Sequence, residues 1–283
     1  MEKKRVLYIL VFLFGANIIL WLTVFYFSQS KFLEVTFFDV GQGDSIFIET
    51  PQKNQILIDG GPSSLVLEKL GTEMPFWDRT IDFIILTHPD HDHISGLIEV
   101  LKSYKIKNIL WTGVLKEDEE YREWIKLIKE EGANVYIARE GQRIIEGDMS
   151  LEVLFPFNSL EGQKSANCNN TSIVSRLTFG DNSFLFLGDI YKAIEKEILA
   201  SGQNIDSDVL KTAHHGSKTS SSEEFIKQVS PDIALISCGK DNSYGHPHQE
   251  TLEILGKYGI DILRTDLNGD INLKVSQKEL ILN

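Results

Sequence analysis

The chain has 283 residues, 42% hydrophobic and 24% charged, an ordinary makeup for a globular protein with one large domain or two small ones. A formal net charge of -13 excludes general electrostatic steering of nucleic acid, so that only a local basic patch or metal ions would hold a polyanion. The two cysteines, Cys168 and Cys238, exclude a four-thiolate zinc site and allow at most one disulfide; buried free thiols are the expectation.

The basic opening MEKKR precedes Val6 to Phe27, an uncharged run whose one strongly polar side chain is Asn17. About 20 apolar residues span a bilayer core. A cleavable signal has a shorter apolar core followed by small residues at its cut site, for which Ser28 and Ser30 are a poor substitute. Apolar residues all round the helix argue against a buried soluble one. Residues 1–30 are therefore expected to be an uncleaved membrane anchor. Lys3, Lys4 and Arg5 should stay in the cytoplasm. The protein is then single-pass in the cell membrane, with residues 31–283 as a domain on the extracytoplasmic side.

Beyond Lys31, LEVTFFDV and SIFIET read as strands around a Gly-rich turn, and QILIDGG as a third strand ending at Asp59. A helix starts within Leu65 to Leu70. Asp82 to Thr87 is a short apolar strand that stops at a histidine cluster. Ile94 to Tyr104 is a helix and NILWTG a strand. Tyr121, Trp124, Ile125 and Ile128 recur at helical spacing between Glu117 and Glu131, whose charges form a solvated face. SLEVLFP, SIVSRLTFG and SFLFLGD are strands, Ala193 to Ser201 a helix, and DVLKTAHHG a strand running into paired histidines. Glu223 to Val229 is a helix, DIALISCG a buried strand and Gln249 to Tyr258 the last helix, with two short strands to finish. Strands and helices mixed in two similar halves predict two sheets packed between outer helices.

Asp39, Asp59, His88, Asp189, His214 and His215 all fall at or just past the C-terminal ends of apolar strands, the edge where α/β sheets gather ligands. A single buried Asp or His is ordinarily structural. HPDHDH differs, because it places three histidines and two aspartates within six positions. Carboxylates packed that densely repel one another unless a cation lies among them. Imidazole and carboxylate are ordinary ligands for zinc, manganese or iron. Two readings of Asp39 and the glycines of DVGQGDS stand side by side, the edge of a site or a plain hairpin turn. Asp59 is expected to support a metal ligand from behind. SKTSSS either contacts phosphate oxygens or caps the next helix at Ser222.

HPDHDH followed by ISG resembles the signature loop of the metallo-β-lactamase fold, histidine-x-histidine-x-aspartate-histidine. His88, Asp92 and His93 match it, and Asp90 stands where the pattern has its second histidine. That departure resembles the hydrolase domain of the ComEC family of competence DNA-uptake proteins. FFDVGQGDSI, ILIDGG, NNTSIV, FLFLGD, LKTAHHGS and SYGHPH look like that branch's other motifs in order, from about Phe37 to Leu255. The resemblance implies an α/β fold, a four-layer αββα sandwich, with two divalent ions, zinc or manganese. The Asp90 carboxylate favours manganese.

The resemblance further implies that His88 and Asp90 hold the first ion, Asp92 and His93 the second, and Asp189 both. Where the family has a further histidine the chain reads NCNNTS. The first site is then weak, recruits an asparagine oxygen, or draws a ligand from HHG. The expected catalytic residues are Asp92, Asp189 and His215. His215 and His246 complete the metal set, His246 being preferred to His248 because it stands three residues before Gln249. His214, Ser217 and His248 are expected substrate contacts. The implied function is a metal-dependent hydrolase, a phosphodiesterase or DNA nuclease acting outside the membrane. DNA or another phosphodiester is its expected partner, and the membrane that of the N-terminal helix. Two alternatives stand. A hydrolase of a small phosphodiester or cell-wall substrate suits the acidic charge and a chain read as anchor plus hydrolase without the helices of a DNA channel. An anchored metal-binding module without catalysis suits the absent histidine.

Overall fold

The computed structural model describes residues 2–28 and 31–282. Met1, Gln29, Ser30 and Asn283 lie outside the described residues, and with them the boundary at residue 30 and half of the weak cut site. The apolar run forms α1 (Glu2–Ser28), within which Lys3–Val24 is long and apolar enough to cross a membrane. The Thr23 hydroxyl, polar in an apolar helix, donates back to the Ile19 carbonyl at 2.8 Å.

The first half of the soluble part contributes β1 (Leu33–Phe37), β2 (Ile46–Glu49), β3 (Gln55–Ile58), α2 (Leu65–Glu73), β4 (Thr80–Leu86), α3 (His91–Ser103), β5 (Lys105–Trp111), α4 (Glu119–Glu131) and β6 (Asn134–Ile137). The second contributes β7 (Arg143–Glu146), β8 (Met149–Phe155), β9 (Val174–Phe179), β10 (Asn182–Phe186), α5 (Lys192–Ser201), β11 (Val209–Lys211), α6 (Glu223–Val229), β12 (Ile233–Ile236), α7 (Gln249–Lys257), β13 (Asp261–Arg264) and α8 (Thr265–Asn268). A closing hairpin, β14 (Ile271–Val275) and β15 (Leu280–Leu282), returns to the first half. The strand orders are β15-β14-β1-β2-β3-β4-β5-β6 in an 8-stranded sheet and β13-β12-β11-β10-β9-β8-β7 in a 7-stranded one.

Strand periodicity builds the layers. Side chains alternate between faces along a strand. Leu33, Val35 and Phe37 of β1, Ile56 and Ile58 of β3, and Phe184 and Phe186 of β10 meet in one core between the sheets. Their intervening neighbours face outward. Leu57, Ile84 and Leu86 pack under α2, α3 and α4, while Leu185 and Leu210 pack under α5, α6 and α7. The result is the expected αββα sandwich.

Three details differ from the sequence expectation. β6 and β7 arise where no strand is expected, because each is a four-residue, largely exposed edge strand, too short for its apolar residues to stand out. α8 follows what is expected to be the last helix, and three strands rather than two come after α7. α3 begins at His91 rather than Ile94, with Asp90 at its N-cap in extended backbone and Pro89 just before it. Asp92 and His93 therefore ride on the first turn of a helix.

β3 to β6 run parallel, as do β10 to β13. The C-terminal ends of both sets share one edge of the sandwich, where Lys211 Nζ of β11 meets Asp44 Oδ2 of the β1–β2 loop at 2.6 Å. At the opposite edge Asn182 Nδ2 donates to the Ser276 carbonyl at 3.0 Å.

Candidate metal centre

The site is built from the C-terminal edge upward. Asp59 follows β3 in a left-handed conformation, φ 57°. Its Oδ1 accepts from the Thr87 backbone N–H at 2.8 Å, and its Oδ2 from the Thr87 hydroxyl at 2.7 Å and from His93 Nδ1 at 2.8 Å. With its proton committed to Asp59, the Thr87 hydroxyl accepts from His88 Nδ1 at 3.1 Å. His215 Nδ1 donates to the Ser237 carbonyl at 2.9 Å. In their neutral forms all three rings thus spend the Nδ1 proton outward and present an Nε2 lone pair inward. Those nitrogens converge on Asp189 Oδ2, at 4.0 Å from His88, 3.4 Å from His93 and 3.4 Å from His215. Asp92 closes the group, with Oδ2 3.2 Å from His215 Nε2 and Oδ1 3.9 Å from His93 Nε2.

Among the described residues, Asp92, His93, Asp189 and His215 place one ligand atom each within 4.8 Å of one another. His88 Nε2, His93 Nε2 and Asp189 Oδ1 are buried without a hydrogen-bond partner. Each such atom costs about 1–3 kcal/mol when nothing satisfies it. Imidazole nitrogens and carboxylates converging in this way fit a divalent cation. Asp59 fixes the His93 ring from behind, and Thr87 and the Ser237 carbonyl do the same for the other two rings.

Electrostatics follow from the same packing. Burial opposes charge on His93 and His215, but Asp189 acts on both, with Asp59 on the first and Asp44 on the second, and raises both well above the usual histidine range. Burial likewise opposes charge on Asp189, and His215 and His93 hold it well below the usual carboxylate range. His88 is lowered, by burial and by His93.

The remaining expected residues occupy distinct places. Asp90 Oδ2 lies 3.6 Å from His88 Nε2, while its Oδ1 pairs with Lys116 Nζ at 2.8 Å. His214 and His215 both adopt left-handed backbone, φ 49° and 54°, a strain of about 1–3 kcal/mol each. His215 points into the cluster. His214 stacks on Tyr191, with one ring nitrogen 3.4 Å from Asn169 Nδ2 and the other 3.1 Å from Thr219 Oγ1. Ser217 Oγ accepts from that Thr219 hydroxyl at 2.9 Å. The oxygen of Asn170 accepts from the Tyr191 N–H. His246 lies beside the cluster, its ring centroid 6.1 Å from that of His215. Its Nδ1 accepts from Gln42 Nε2 at 3.4 Å, and Gln42 is oriented by accepting from the Gly239 N–H at 3.2 Å. Nε2 of His246 therefore carries the proton. Burial, with His215, His214 and His248 nearby, pushes this ring down to about 4. His248 Nδ1 accepts from the Lys218 N–H. Both cysteines are free; Cys238 is buried and Cys168 half-buried.

The DVGQGDS loop packs onto the site. Asp44 N donates to the Asp92 carbonyl at 3.2 Å, and a Cβ on Gly43 would lie 2.3 Å from that same oxygen. Asp39 Oδ1 closes its own turn by accepting from Gly41 N at 3.2 Å. Sequence reasoning missed Asp44 and Lys211. Both are buried, and Asp44 Oδ1 also lies 3.3 Å from His215 Nδ1. A lysine inside the apolar strand DVLKTA is the signal that would have found them.

The profile of the metallo-beta-lactamase superfamily matches residues 38–240. ComE operon protein 3 of Bacillus subtilis (strain 168) is 35% identical over 277 residues, 92% of this chain and 35% of its own length. Competence protein ComA of Neisseria gonorrhoeae is 30% identical, covering 83% of this chain and 31% of its own. Recombination protein 2 of Haemophilus influenzae is 30% identical over 93% and 32%. The chain thus spans about a third of the length of these curated relatives. Among solved structures, the metallo-beta-lactamase fold protein YhfI from Bacillus subtilis matches with a TM-score of 0.55 over 89% of this chain and 100% of that one, at 14% identity. Tm1679, described as a metal-dependent hydrolase of the beta-lactamase superfamily, matches with 0.54 over 86% and 99%, at 13%. At such identities the likeness concerns the fold alone.

Proposed function

The chain belongs to the metallo-β-lactamase superfamily, and from that premise we propose that it is a dinuclear metal-dependent phosphodiesterase, in particular a nuclease. Residues 1–30 would anchor it and residues 31–283 would act on the extracytoplasmic side. The observation that carries the reading is the convergence of three buried Nε2 atoms on Asp189, each ring fixed by its own Nδ1 hydrogen bond.

In this reading His88, Asp90, Asp92, His93, Asp189 and His215 would hold the ions. Zinc or manganese bound there would acidify water and neutralise charge developing on phosphoryl oxygens. The protein's own groups do the rest. Lys116 balances the charge of Asp90, and buried Lys211 that of Asp44 behind His215. His246, a neutral ring with its proton on Nε2, acts as a hydrogen-bond donor to a substrate oxygen rather than as a ligand. His248 donates farther out. The competence-related names of the relatives favour DNA as substrate. The charge of -13 favours a second reading, a small phosphodiester that needs no steering.

The test is a metal count on the purified full chain, with hydrolysis of bis-p-nitrophenyl phosphate and of single-stranded DNA in manganese and in zinc. Two ions with cleavage of both substrates are expected. Cleavage of the small diester alone would select the second reading, and a chain that binds no metal would end the hydrolase reading.

A further inference from the structure

Phe76 and Trp77 are 81% and 73% exposed on the connection between α2 and β4. Their rings pack edge to face at 4.9 Å and 83°, so they form one apolar knob. Exposed apolar residues scattered singly need no explanation, but an adjacent Phe–Trp pair calls for one, and its place in the fold supplies it. The knob precedes β4, at the edge of the sandwich opposite the metal centre. Asp78, next to Trp77, accepts from Gln55 Nε2 at 3.4 Å. Gln55 pairs with Glu49, and Glu49 with Glu34, which follows the first residue of β1. Three strand spacings, about 14 Å across the sheet, therefore separate β4, which follows the knob, from β1, where the chain enters the domain. Ser28 of α1 and Leu33 of β1 are five positions apart, a reach of at most about 18 Å.

We infer that this edge rests on the lipid bilayer, with Phe76 and Trp77 seated at the headgroup level. The inference depends on the reading of α1 as a membrane anchor. Aromatic side chains, tryptophan above all, are favoured at that depth, where a ring is half apolar and half wet. Of the cations at this edge, Lys53 pairs with Glu49, Lys105 with Glu131 and Lys107 with Asp82, while Arg79 donates to the Tyr104 hydroxyl and lies over its ring. The contact is carried chiefly by the rings.

The test uses the full chain in phosphatidylcholine vesicles, read by quenching of tryptophan emission with brominated lipids. Trp111 and Trp124 are buried and contribute an unquenched background. A Trp77→Phe chain leaves Trp21 as reporter of the anchor, and a Trp21→Phe chain leaves Trp77 as reporter of docking. Lipids brominated at mid-chain should quench Trp21. Lipids brominated near the headgroup should remove the Trp77 component, and Phe76→Ser should weaken that loss without disturbing the core. Trp21 quenched with Trp77 untouched would overturn docking while leaving the anchor in place. Trp21 unquenched would remove the anchor and the docking with it.

Discussion

Changing Asp189 to asparagine keeps the side chain's shape but removes the charge that faces three imidazoles. The variant should fold normally, hold fewer than two ions and lose phosphodiesterase turnover by about two orders of magnitude or more, the scale of losing a key electrostatic group. Near wild-type hydrolysis would show that any activity bypasses the proposed dinuclear site. His246→Ala makes a sharper distinction. If the ring is a donor, turnover falls about a hundredfold while elemental analysis still finds both ions; loss of one ion would make His246 a ligand instead. The residues within HPDHDH were legible because they are neighbours in sequence and because dense carboxylates ask for a cation. Asp44 and Lys211 were not, since they lie 167 positions apart and only the packing of the two sheets joins them.

The helix that carries Asp92 and His93 is seated by a backbone contact. A Cβ on Gly96 would lie 1.8 Å from the Gly60 carbonyl oxygen, and one on Gly60 would lie 2.3 Å from Leu97 N. No rotamer relieves a Cβ clash with backbone, so α3 would have to move bodily. Gly96→Ala should cost about 1–3 kcal/mol, the usual scale of overpacking, and weaken metal binding as well. A urea midpoint identical to wild type would show that the contact is not required. The sequence marks this glycine only as the end of HPDHDHISG, because its reason lies in a different loop, IDGG. The central strands were readable from runs such as DFIILT and FLFLGD. β6 and β7 were not, because each is only four residues long and largely exposed, so NVYI and RIIE are too short to stand out.

At the scale of the whole molecule, the four layers were legible from the order of strands and helices together with the motifs. The return of β14 and β15 to the first sheet was not, since no local pattern states which sheet a terminal hairpin joins. The acidic cluster also ties stability to metal. At an ion concentration a hundred times Kd, each site adds about 2.7 kcal/mol, so manganese or zinc should raise the melting temperature and a chelator reverse it. Without ions, the carboxylates of Asp189, Asp59 and Asp44 outweigh burial and favour the charged forms of His93 and His215. Their charge stabilises the fold at low pH, and this contribution fades as pH rises through their raised values. Ion binding must displace about one proton from each ring. Affinity should therefore climb with pH, and calorimetry in buffers of different ionisation enthalpy should detect the release. An unchanged melting temperature with excess metal would contradict the centre. The polarity of the sheets, finally, narrows the range of substrates. β4, seven residues long, runs from the Trp77 edge to His88, which lifts the metal centre about 20 Å or more above whatever that edge rests on. Phospholipid headgroups are phosphodiesters too, yet if that edge docks on a bilayer as proposed, its headgroups would lie below the reach of this site. A substrate would have to arrive from the far side, as a soluble molecule or a strand passing overhead.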